Sequence, residues 1–155
     1  AYGVIANGGR ALEPYLIKRV RTGAGEVLYQ YKSEAGRVLV AAQQVGDLND
    51  LLSSVVQHGT GKRAQLPRHQ VAGKTGTCTG NRDKLGLFTS FSSADNPRVV
   101  VTVITTGSTE AGKRAAEIAG RIYAAISPRF FRERMVTPAA ATTEIAAPKL
   151  GNLQN

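Results

Sequence analysis

The sequence predicts an α+β domain in which a three-stranded antiparallel sheet packs with helices. Three observations carry that prediction. Residues 69–78, 85–92 and 98–106 form consecutive strand-like runs, the last of them strongly β-branched. Asp95-Asn96-Pro97 supplies a turn that makes the second and third runs antiparallel neighbours. Helical periodicity brackets the set on both sides, over 41–58 and 111–126.

The elements follow in order. Tyr2-Gly3-Val4-Ile5-Ala6 reads as the last turns of a helix ended by Asn7-Gly8-Gly9. Residues 16–21 and 26–31 read as short strands of a hairpin turning at Gly23-Ala24-Gly25. Over 41–58 the apolar set Val45, Leu48, Leu51, Leu52, Val55 and Val56 has helical spacing, and Gly59 stops it. The β-branched run 98–106 predicts a buried strand. Over 111–126, Ala115, Ile118, Ala119, Ile122 and Ile126 share a face; Ser108 or Thr109 can cap the start, and Ser127-Pro128 is expected to end the helix. Residues 1–135 form the expected folded body. Residues 136–155, an Ala/Thr/Pro-rich tail, offer too little apolar surface to offset their ordering entropy and are expected to be disordered.

Composition bounds the rest. The 155 residues, 42% hydrophobic, suffice for one domain with a core. No apolar run reaches the roughly 18 residues a membrane helix needs, and the first residues lack a basic region followed by a long apolar stretch. The formal charge of +9 suits anionic surfaces, but the twenty Lys and Arg are scattered, with 129–134 the densest cluster. No basic stretch is interleaved with aromatics, so nucleic acid is not an expected partner. His58 and His69 have no Cys, Asp or Glu at ligand spacing; neither reads as a metal site, no cofactor is expected, and His58 fits a helix C-terminus. Cys78 is single and reads as a core residue rather than a nucleophile.

Val71-Ala72-Gly73-Lys74-Thr75-Gly76-Thr77 is the segment that carries chemistry. A phosphate loop would need glycine five residues before Gly73, where Arg68 stands, and a helix after Thr75, where the chain is rich in glycine and β-branched residues. Gly61-Lys62 fails likewise, with Val56 in that place and Arg63 behind it. On a strand, Thr75 and Thr77 point to one face and Lys74 and Gly76 to the other. Two hydroxyls beside a cation suit a peptide carboxylate, and Gly76 lets a peptide backbone lie close to an edge strand.

These landmarks in order make the chain resemble the C-terminal half of the transpeptidase domain of penicillin-binding proteins, the D,D-transpeptidases of the serine β-lactamase-like superfamily. The resemblance runs from Ala1 to about Ile126. It rests on Gly3 to Gly9 with Pro14 and Ile17 behind it, Val55-Val56 before Gly59-Thr60-Gly61, the Val71–Thr77 segment, and Phe88 to Phe91. It implies a partial β-lactamase/transpeptidase-like fold, peptidoglycan stem peptides and β-lactams as ligands, and a place on the extracytoplasmic face of the cytoplasmic membrane. It further implies Lys74 as a catalytic residue, the Thr77 backbone N–H as an oxyanion-hole donor, and Thr75, Gly76 and Thr77 as substrate-binding residues. The Gly-Thr-Gly stretch around Thr60 helps shape the site in that family; by itself it reads as a turn. Asp83 stands where relatives often carry an acid, but Leu85-Gly86-Leu87-Phe88 departs from their usual Trp-Phe. The hairpin and Asp83 lean towards the bifunctional type.

One part of the family pattern is missing. None of Ser33, Ser53, Ser54, Ser90, Ser92, Ser93, Ser108 or Ser127 has lysine three residues on, and Ser-x-Asn does not occur. The chain holds no nucleophile, and is expected to be a piece of a larger envelope enzyme, inactive until the other half of the domain is supplied. A non-catalytic peptidoglycan- or partner-binding module of the same fold is the alternative. By the same resemblance strand 98–106 would lack a neighbour in the sheet, so that either another chain supplies it or the chain pairs with itself through the exposed edge.

Overall fold

The computed structural model describes residues 1–79, 84–107 and 110–130. Its elements are α1 (Tyr2–Ala6), β1 (Arg19–Arg21), β2 (Val27–Gln30), α2 (Ala42–Gln57), a 3₁₀ turn (Lys62–Ala64), β3 (Val71–Thr79), β4 (Lys84–Ser92), β5 (Val99–Thr106) and α3 (Ala111–Phe130). The predicted tail, the Ser108/Thr109 cap, Asp83 and residues 131–134 of the Arg-rich cluster lie outside the described residues.

β3, β4 and β5 form an antiparallel sheet in that order, with Thr75 opposite Phe88 and Phe88 opposite Val103. The turn before β5 is held by the Ser93 hydroxyl, which donates to the Asp95 carboxylate and keeps it below the usual carboxylate range. Phe88 and Phe91 are three residues apart and therefore point to opposite faces. Phe88 packs with Val71, Val101, Val103 and the α3 residues Ala115, Ala119 and Tyr123. Phe91 packs with Leu52 of α2, Ala72 and Ala94, with Tyr2 and Ile5 of α1 against that group. α2 serves both cores: Val56 belongs to the first and Leu52 to the second.

α1 ends where predicted, because Gly8 and Gly9 adopt φ of +65° and +85°, a region side chains disfavour. Gly9 also accepts from the Leu39 N–H, tying the helix end to the segment that leads into α2. The predicted hairpin is present but shorter, Arg19 pairing with Gln30 and Val20 with Tyr29. A concavity of about 670 Å³ lies beside it, lined by Tyr15, Tyr29 and Tyr31 among others and by no residue of β3.

Four expectations are corrected. β5 is not buried on both faces: Val101 and Val103 are inside, whereas Val100 and Ile104 are 41% and 63% exposed, because no described element covers that part of the sheet. Cys78 is exposed rather than in the core, for the same lack of cover at the end of β3. α3 continues through Pro128 to Phe130, although proline has no N–H to give the carbonyl four residues back, and the Ser127 hydroxyl lies 3.0 Å from His69 Nε2. On the two helices, one residue each departs from the buried face read in the sequence. Leu51 is 65% exposed and Ile122 37%, while Tyr123 is fully buried at the centre of the α3 contact.

Tyr123 carries a testable pH dependence. Its hydroxyl lies 3.0 Å from Ser90 Oγ, which donates to the Val101 carbonyl at 3.3 Å. Burial pushes the phenol from 10.0 up to about 12. Above pH 10 the unfolded chain releases this proton while the folded chain keeps it, so stability falls with rising pH up to about pH 12. Comparing unfolding midpoints of the wild type and Tyr123→Phe across that window is expected to show a steeper fall in the wild type, by roughly 2 kcal/mol in all. Parallel curves would contradict it.

Candidate functional site

The site is an edge. β3 lies at one end of the sheet order, so one of its sides is not paired to a strand, and the Lys-Thr-Gly residues lie along its middle. Lys74 and Thr77 are exposed, and Thr75 and Gly76 are half-buried. Lys74 Nζ donates to the Thr75 carbonyl at 2.7 Å. Its stem therefore folds along the strand, and the ammonium stays beside the backbone a bound peptide would meet.

Thr75 and Thr77 lie on the α3 side of the sheet. The first turn of α3 comes so close that a Cβ on Gly112 would stand 3.2 Å from the Gly76 carbonyl oxygen and 3.3 Å from Thr77 Oγ1. Gly86, opposite Thr77, is backed by the Ala111 main chain, and the Thr105 hydroxyl donates to the Ala111 carbonyl at 2.9 Å. The helix start, β5 and β3 are thus locked together behind the site.

The Gly-Thr-Gly loop completes this side. After α2, the Gly59 and Gly61 N–H groups both donate to the Val55 carbonyl, which curls the chain back towards β3. Thr60, at the tip, brings its Oγ1 to 2.5 Å from Thr75 Oγ1. The 3₁₀ turn behind it is fixed to α3 by Arg63, which pairs with Glu110 at 2.9 Å and Glu117 at 3.7 Å. The hydrogen bond and charge of Lys113, then the charge of Arg63, hold the Glu110 carboxyl below its ordinary range. Pairs this exposed add little stability one by one; their effect is to fix the direction of the loop.

The structure thus brings Lys74, Thr75, Gly76, Thr77 and Thr60 together. His58 caps α2, exposed, and His69 lies half-buried ahead of β3. Sequence reasoning missed Gly112 and Arg63. The signals were two small residues, Ala111-Gly112, opening a helix, and two acids seven apart, Glu110 and Glu117, on one side of it.

Residues 1–124 match the family model of the penicillin binding protein transpeptidase domain, and the chain belongs to that family. It is 32% identical over 119 residues to penicillin-binding protein PbpB of Mycobacterium tuberculosis, covering 66% of this chain and 17% of that protein. With penicillin-binding protein 1A of Aquifex aeolicus it shares 38% over 92 residues, 59% of this chain and 12% of the relative. The chain therefore spans well under a fifth of the length of these curated relatives. Among solved structures, the D,D-transpeptidase domain of a peptidoglycan glycosyltransferase from Eggerthella lenta aligns with a TM-score of 0.66 at 30% identity, over 79% of this chain and 30% of that one. Penicillin-binding protein A of M. tuberculosis, in its imipenem acyl-enzyme complex, aligns at 0.63 and 26% identity, over 77% and 28%. The mixed helix-and-sheet arrangement agrees with these neighbours. No helix among the described residues is long and apolar enough to cross a membrane.

Proposed function

We propose that this chain forms the substrate-binding wall of a penicillin-binding D,D-transpeptidase, which cross-links peptidoglycan stem peptides by acyl transfer on the extracytoplasmic face of the cytoplasmic membrane. The observation that carries the reading is the Lys74–Thr77 run on an edge strand, inside a region that matches the transpeptidase family. A stem peptide or a β-lactam lies along β3, its carboxylate towards the Thr75 and Thr77 hydroxyls and Lys74. The Thr77 N–H donates to the oxygen of the attacked carbonyl as negative charge develops on it. Lys74 supplies positive potential at the same place.

The attacking serine and its lysine come from residues outside these 155, since no serine here has lysine at the family spacing. That other half of the domain also covers the exposed part of the sheet around Val100 and Ile104; without it, the free edge of β5 pairs with a second copy. A labelled penicillin is expected to give no covalent adduct with this chain alone. Mixed with a segment that carries Ser-x-x-Lys, it should label a serine of that segment. A stoichiometric adduct on the isolated chain would overturn the proposal. The missing Ser-x-x-Lys is also what a non-catalytic binding module would show, and a full gene product without that motif would favour the binder.

A further inference from the structure

We infer that Thr60 is a positioning residue that sets the direction of the hydrogen bond at Thr75, so that the Thr75 hydroxyl faces the ligand as a donor. The inference rests on the reading that β3 receives a carboxylate. Thr60 Oγ1 and Thr75 Oγ1 stand 2.5 Å apart, and either can donate. A hydroxyl has a single proton. When Thr75 donates to Thr60, its proton is committed and its oxygen repels an incoming carboxylate. When Thr60 donates, the Thr75 proton is free for the carboxylate, and the bond that Thr75 accepts strengthens the one it gives. A carboxylate only accepts, so binding selects the second order: Thr60 O–H to Thr75 Oγ1, and Thr75 O–H to the ligand.

Thr60 can act this way because other parts of the fold hold it. Gly61 is buried, and a Cβ there would stand 3.2 Å from both the Phe88 ring and a Val56 methyl. Ala64 is fully buried in the core beneath α3, and Arg63 joins the same turn to Glu110 and Glu117. These contacts hold the loop tip beside β3. Thr60 itself is exposed, so its side chain adds little to packing.

The test uses the full-length protein and two penicillins, one with its free carboxylate and one with that group masked as the methyl ester. Second-order acylation rates are measured for the wild type, Thr60→Val and Thr60→Ser. Valine keeps the branched shape but removes the hydrogen bond that Thr60 gives Thr75, and is expected to slow acylation by the free acid roughly five- to tenfold. The ester rate should change by about threefold or less, and serine should restore most of the loss. Equal losses with acid and ester would mean a general structural role and would overturn the inference. So would an unchanged acid rate. If the wild type forms no adduct with either compound, the transpeptidase reading itself fails, and this inference with it.

Discussion

Replacing Lys74 with alanine is expected to slow penicillin acylation of the complete domain by roughly a hundred- to a thousandfold. The side chain is exposed on an edge strand, and its ammonium rests 2.7 Å from the Thr75 carbonyl, beside the backbone a ligand would align with. Under the proposed function a cation there would stabilise both the bound carboxylate and the developing oxyanion, so its loss should act on the transition state as well as on binding. Little packing is lost with it, and the unfolding midpoint should stay within about 0.5 kcal/mol of wild type. Arginine keeps the charge but spreads it over a planar fork, so Lys74→Arg should fall between the two. A loss below about tenfold in the alanine variant, with folding intact, would remove Lys74 from the chemistry.

Gly86→Ala is expected to be strongly damaging, lowering stability by about 3 kcal/mol or more. An ideal Cβ at this position would stand 2.0 Å from the Ala111 carbonyl carbon, 2.3 Å from its oxygen and 2.4 Å from the Gly112 nitrogen. All three are main-chain atoms at the start of α3, so no rotamer change relieves the clash. The helix start has to lift from the sheet, which breaks the Thr105 hydrogen bond to Ala111 and withdraws Gly112 from Gly76 and Thr77. Stability and acylation should therefore fall together. Denaturant midpoints and penicillin labelling measured side by side would show it, and a stable variant with unaltered labelling would refute the packing argument. Domains are stable by only about 5–15 kcal/mol, so a loss of this size is a large share.

The strand that carries Lys74 to Thr77 was legible because its pattern lies in consecutive residues. Lys74 to Thr77 alternate faces once a strand is assigned, and the turn at Asp95-Asn96-Pro97 placed two strands side by side without any tertiary information. Burial was harder to read. The run Val99 to Ile104 is rich in apolar residues on both faces, and composition cannot say that Val100 and Ile104 would stay exposed among the described residues. The same gap misplaced Cys78. On α3 the predicted face of Ala115, Ile118, Ala119 and Ile126 packs against the core, whereas Ile122 does not, and the buried Tyr123, whose hydroxyl meets Ser90, falls outside that pattern. The Arg63 pairs join residues 47 and 54 positions apart, beyond the reach of local pattern.

The alternation along β3 has a consequence for how this site can change over time. Lys74 and Thr75 work on opposite faces of one strand, and each residue of β3 from Val71 to Thr79 has a fixed partner on β4. Losing or gaining one codon in the strand ahead of Lys74 would turn the lysine towards α3 and Thr75 away from Thr60, or else shift the ladder partners ahead of the change. Drift within this stretch is therefore confined to exchange of one side chain for another. Changes of length are left to the connections outside the paired strands, where they alter what surrounds the ligand without inverting the wall that holds it.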